Sequence, residues 1–103
     1  MLEELTSERL TELFLKLYKE KHNLSEEELL KFKYGYNDKK VEAIVERAVD
    51  YDLLPVIKYF IENGGNPYFV TTYFSKRLNI LNIAAERGCL DIINYLLEKI
   101  FLL

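Results

Sequence analysis

The sequence predicts an all-α fold: a short solenoid of three stacked helix pairs, with an extended finger loop between pairs two and three. Three observations predict it. Apolar residues recur at spacings of three and four along most of the chain, which is the helical period. Helix-start signals stand at Thr6 and Ser25. Two long segments, residues 43–64 and 79–100, align on each other at a shift of 36 residues, and self-similarity at such a period marks a stacked helical repeat.

The first helix runs from Thr6 to His22. Leu10, Leu13, Phe14, Leu17 and Tyr18 share one face. Leu5 ahead of a Thr6 cap, with Leu10 behind it, suits a hydrophobic staple. Glu8 and Glu12 come early and Lys19 and Lys21 late, as the helix dipole favours. In Leu24-Ser25-Glu26-Glu27-Glu28-Leu29, Ser25 and Glu28 have capping-box spacing, so the triple Glu reads as a helix start and not as an acidic site. This second helix stops before Gly35. Tyr36-Asn37-Asp38 makes a turn, and Asp38 is placed to cap the next helix.

The repeated segments follow. The shift sets Ala48 on Ala84, Leu54 on Leu90, Val56 and Ile57 on Ile92 and Ile93, Tyr59 on Tyr95, and Phe60 and Ile61 on Leu96 and Leu97. Each segment reads as a short helix with small residues, a tight turn at Asp52 or Gly88, and a second helix with an apolar stripe. Ile93, Leu96 and Leu97 are expected to face the preceding unit. Between the segments lies Asn66-Pro67-Tyr68-Phe69-Val70-Thr71-Thr72-Tyr73-Phe74-Ser75-Lys76-Arg77, a stretch behind a double glycine that carries four aromatic side chains. It reads as an exposed finger, with Phe69 or Phe74 expected to fold back onto the stack. The chain reads as one domain: a capping helix pair over 1–37, a first repeat over 38–67, and the finger with a second repeat over 68–103.

Composition narrows the function classes. The chain has 103 residues, 50% hydrophobic and 30% charged, with 17 acidic against 14 basic residues. A net charge of −3 argues against nucleic acid or an anionic membrane, both of which need a concentrated positive field. Lys76 and Arg77 are the only basic residues beside the finger aromatics, too few for a stacking groove. The single cysteine, Cys89, allows no internal disulfide and suits the cytoplasm or another reducing compartment. No secretory signal is visible at the start, and no apolar run approaches the roughly 20 residues that span a bilayer.

Catalytic constellations are missing from the pattern. The one histidine, His22, and Cys89 fall in segments expected at opposite ends of the stack. Asp50 and Asp52 flank a turn. No Cys/His spacing suits zinc, no acidic loop suits calcium, and Gly64-Gly65 reads as a helix exit and not a phosphate loop. The reading is therefore no enzyme, no metal and no cofactor.

The second unit, Asn79-Ile80-Leu81-Asn82-Ile83-Ala84-Ala85-Glu86-Arg87-Gly88-Cys89-Leu90-Asp91-Ile92-Ile93-Asn94-Tyr95-Leu96-Leu97, resembles an ankyrin repeat. The Ala84-Ala85 pair, the Gly88 turn and Leu90, Ile92, Ile93, Leu96 and Leu97 match the family pattern. Ala48, Leu54, Val56, Ile57, Phe60, Ile61 and Gly64 match in the first unit, and Gly64-Gly65-Asn66-Pro67 is similar to the family's exit from a repeat. The resemblance covers about Val41 to Lys99. The usual Thr-Pro-Leu-His start is Asn79-Ile80-Leu81-Asn82 in the second unit and is lost in the first, which weakens the polar network between repeats.

The resemblance implies a protein-binding module that works through its finger and the concave face of its first helices. On this sequence that surface is Tyr68, Phe69, Tyr73, Phe74, Lys76 and Arg77 of the finger with Asp50, Tyr51, Glu86 and Arg87 at the ends of the first helices. Two alternatives accompany this reading. One is a small viral or intracellular-bacterial effector that blocks a host protein. The other is a structural subunit that self-associates through the apolar tail, Phe101, Leu102 and Leu103.

Overall fold

Helix-start chemistry organises the N-terminal third. The computed structural model describes residues 5–34, 41–68, 70–73 and 76–101. Helix α1 spans Ser7–His22, and the Thr6 hydroxyl accepts from the Arg9 N–H at 3.2 Å. Leu5 packs against the core in the same turn, and α1 ends at Asn23 in the left-handed conformation, φ 52°. Helix α2, Glu26–Tyr34, opens with the capping box expected at Ser25 and Glu28. The Ser25 hydroxyl accepts from the Glu28 N–H and the Glu28 carboxylate accepts from the Ser25 N–H, each at 3.1 Å. The cap expected at Asp38 lies outside the described residues.

The two repeat units are α3 (Val41–Asp50) with α4 (Leu54–Glu62), and α5 (Ile80–Arg87) with α6 (Leu90–Phe101). Their turns share one hydrogen-bond pattern. Leu53 N–H donates to the Ala48 carbonyl and Asp52 N–H to that of Val49. Thirty-six residues later Cys89 donates to Ala84 and Gly88 to Ala85. Both are Schellman ends, which require a left-handed residue. Asp52 supplies it at φ 55° and Gly88 at φ 71°. Helix α4 closes in the same way at Gly64, φ 93°. Gly65 is glycine for another reason: a Cβ there would stand 2.5 Å from the Phe60 ring.

The stack follows from which faces are apolar. Helix α1 packs on α3 and α4, α3 packs on α5, and α4 on α6. Leu10, Phe14, Ile44, Val45, Val49, Val56, Ile57, Ile80, Ile83, Ile92 and Leu96 are fully buried between them. Burying each such side chain contributes about 1.5–3 kcal/mol. Ala48 and Ala84, equivalent in the two units, are also sealed, and their small side chains let the paired helices approach. No helix among the described residues is long and apolar enough to cross a membrane.

Two expectations are corrected. The finger is not an extended loop but an antiparallel hairpin, β1 (Val70–Tyr73) with β2 (Lys76–Asn79), in the register Val70↔Asn79 to Tyr73↔Lys76. Val70, Thr71, Thr72 and Tyr73 are the branched and aromatic types that favour strands. Leu97 does not join Leu96 in the core. It is 37% exposed, because neighbours on a helix point about 100° apart and the interior takes Ile92, Tyr95 and Leu96. Ile93 stands between, partly buried against the core.

Candidate functional site

The chain leaves the first unit through Asn66, whose side-chain oxygen accepts from the Tyr68 N–H at 2.9 Å. This turn presents Tyr68, which is 55% exposed at the root of the hairpin. Tyr73 stands opposite Lys76 and Thr72 opposite Arg77 in the strand register. Phe69 and Phe74 lie outside the described residues, so the expected folding back of one of them falls there too. At the far end of β2 a second capping box seats the hairpin on α5. The Asn79 side chain accepts from the Asn82 N–H at 2.9 Å, and Asn82 answers to the Asn79 N–H at 3.3 Å.

The other predicted residues sit elsewhere. Helix α5 has eight residues, about 12 Å at 1.5 Å per residue. Glu86 and Arg87 are exposed at its far end from the hairpin. Asp50 and Tyr51 stand at the matching end of α3. The eight described candidate residues therefore form two groups, a finger group and a turn group, at opposite ends of the first helices.

Asp50, Tyr51 and Arg87 of the turn group border a shallow recess of about 290 Å³, with Lys21 and Asp52 also in its walls. Arg87 Nη2 lies 3.2 Å from Asp50 Oδ1, an ion pair bridging the two units. Burial raises the Asp50 pKa above the ordinary carboxylate value, while Arg87 and Arg47 oppose the shift. The Lys21 ammonium donates to the carbonyls of Tyr51 and Asp52, tying α1 to the first repeat turn. Tyr51 belongs to an aromatic cluster: its ring meets Tyr18 edge-on at 4.9 Å, and Tyr18 stacks on Phe32 at 4.1 Å. Much of the Tyr51 surface is thus spent on internal packing.

His22 and Cys89 were expected at opposite ends of the stack, yet both border this recess. Helix α1 is sixteen residues long, so its last turn reaches the level of both repeat turns. Their meeting does not assemble a nucleophile. Burial and then the charge of Asp52 raise the Cys89 thiol, which donates to the Val49 carbonyl at 3.5 Å. The His22 ring packs on Tyr18 at 4.4 Å. No group of three or more metal-ligating side chains occurs among the described residues. Lys21 is the recess residue that the sequence did not single out. Its late position in α1 was read as dipole complementarity, and nothing local signals its reach of 30 residues to Tyr51.

No protein-family model matches the chain, and no solved structure matches it. The chain is similar to an ankyrin repeat protein of Rickettsia bellii (strain RML369-C), with 37% identity over 83 residues. The match covers 74% of this chain and 54% of that protein, so the chain spans about half the length of the curated relative it matches.

Proposed function

We propose, from the premise that this chain is an ankyrin-repeat protein, that it is a non-catalytic module that engages a partner protein through its hairpin finger. One observation carries the reading. Tyr68 is a large aromatic side chain, 55% exposed, at the root of a hairpin seated on a packed helix stack. An exposed tyrosine on a rigid support covers much area at little entropic cost, and tyrosine is among the residue types that most often anchor interfaces. The turn group supplies a second surface of charged and aromatic residues at the other end of the first helices, with Glu86 and Arg87 the most open. The buried, protonated thiol of Cys89 and the aromatic packing of His22 support the absence of catalysis.

Capture of partners from the source cell, with the intact chain against Tyr68→Ser and Tyr73→Ser, tests this. Each anchor lost should cost about 1–3 kcal/mol of binding. The helical signal and melting temperature should stay nearly unchanged. A large loss of stability would make the aromatics core residues, and unchanged capture would remove the finger from the interface. Cys89→Ser and His22→Gln should leave capture intact. A catalytic activity abolished by either change in a folded protein would overturn the non-catalytic reading.

A further inference from the structure

Asn63 is the asparagine of this chain that glycine follows; leucine, aspartate, proline, isoleucine or tyrosine follows each of the others. A glycine there has no side chain to shield its peptide nitrogen. Asn63 caps α4, and the turn that closes the helix is made around it. Its side-chain nitrogen donates to the Tyr59 carbonyl at 2.8 Å, and its backbone N–H donates to the same carbonyl at 3.1 Å. The Gly64 N–H donates to the Ile61 carbonyl at 3.2 Å and the Gly65 N–H to the Phe60 carbonyl at 2.8 Å. Asn63 is partly buried and Gly64 is exposed, and a Cβ at Gly64 would meet nothing within 4 Å. The outer side of the turn is therefore open to water.

We propose that Asn63 is a site of spontaneous modification, converted to aspartate and isoaspartate through attack by the Gly64 nitrogen. That nitrogen bonds to Asn63 Cγ and closes a cyclic imide. The side-chain nitrogen leaves as ammonia and takes the Gly64 proton with it. Water then opens the ring. Opening at the side-chain carbonyl gives aspartate, and opening at the main-chain carbonyl gives isoaspartate, with an extra carbon in the backbone. No oxidant, metal or second protein enters the balance. The folded turn restrains both reacting groups, since Ile61 engages the Gly64 N–H and Tyr59 the Asn63 amide. Nitrogen and Cγ are free to meet when the last turn of α4 opens, a local event and not a global one. The product cannot restore that turn. An ionised carboxylate only accepts, so an oxygen would face the Tyr59 carbonyl where a nitrogen had donated to it. A negative charge at a helix C-terminus also opposes the helix dipole. The hydrogen bond that guards the amide is the one its product cannot make. Each conversion thus leaves the exit toward Asn66 and Tyr68 looser than before, whatever the finger binds.

Incubation of the full chain at mildly alkaline pH, folded and in urea, followed by peptide mass spectrometry, tests this. In urea Asn63 should convert ahead of every other asparagine. In the folded chain it should convert to the same two products, more slowly by about tenfold or more, because the turn must open first. Asn63→Gln should remove the conversion. The second measurement is amide hydrogen exchange on Asn63→Asp, which carries the aspartate product from the start. Protection at Gly64 and Gly65 should fall by about tenfold or more, with that of α3 kept. Another asparagine converting first in urea overturns the site. Equal rates in the folded chain and in urea overturn its gating by α4, and unchanged protection in Asn63→Asp overturns the loosening.

Discussion

Helices α3–α4 and α5–α6 follow one plan and seal most of the same positions, yet some side chains sealed in the first pair are open in the second. Ile57 has no exposed surface and Ile93, its counterpart, is partly exposed. Leu54 is partly buried and Leu90 is 70% exposed. The residue types are nearly the same. Position in the stack, and not side-chain chemistry, decides what each contributes. An apolar stripe in a repeat protein is half of a contact, and its value depends on whether a neighbour supplies the other half.

The largest consequence is for truncation at matched positions. Ile57→Ala should destabilise the monomer by about 2–5 kcal/mol, the range for large-to-small changes in a sealed core. Ile93→Ala should cost markedly less, about 1 kcal/mol, because part of its surface already meets solvent. Urea unfolding at low protein concentration measures both. Equal losses would mean that the second unit is covered in the monomer, and the contrast between the units would collapse.

How far the two units could be read from sequence depends on how local the determinants are. Caps at Thr6 and Ser25, the shift of 36 and the left-handed turns at Asp52, Gly64 and Gly88 are written in neighbouring residues, and all are present. The hairpin was missed because the double glycine and Pro67 suggested irregular chain, while the strand signal in Val70-Thr71-Thr72-Tyr73 is only four residues long. The Asn79–Asn82 box was missed because Asn replaces the usual Glu or Gln at the third helical position. The gathering of Lys21, His22 and Cys89 was illegible because it depends on the length of α1 and on its packing against α3 and α4. The candidate residues came from residue type and from the family resemblance, and the sequence did not show that the finger and turn residues stand at opposite ends of α3 and α5.

The turns give a smaller contrast of opposite sign. Asp52 and Gly88 make the same Schellman end, but an L residue in the left-handed region costs about 1–2 kcal/mol, less for Asp. Gly88→Ala should therefore destabilise by about 1 kcal/mol, while Asp52→Gly should be neutral or stabilising by a few tenths. If Asp52→Gly destabilises, the Asp52 side chain holds more of the turn than its backbone does, and the proximity of Cys89 is the place to look.

The smallest effect concerns the ion pair that bridges the units. Burial raises the Asp50 carboxyl above its ordinary value of 3.8, while Arg87 and Arg47 pull it back. A carboxyl raised on folding makes the native state hold its proton more tightly than the unfolded chain does. Its contribution to stability is therefore fully present below the ordinary value and is lost as pH rises through the folded one. Asp50→Asn removes that dependence, so subtracting its stability–pH curve from that of the intact chain should leave a contribution that declines above about pH 4. Arg87→Gln removes one of the opposing cations and should carry the decline to higher pH, with Asp50→Asn erasing it in the double variant. Stability curves from acid to neutral pH, taken by urea unfolding, distinguish the cases. A contribution that rises with pH instead would mean that the Arg87 pairing outweighs burial, and that the link between the first and second turns holds the stack together more strongly than Asp50's burial opposes it.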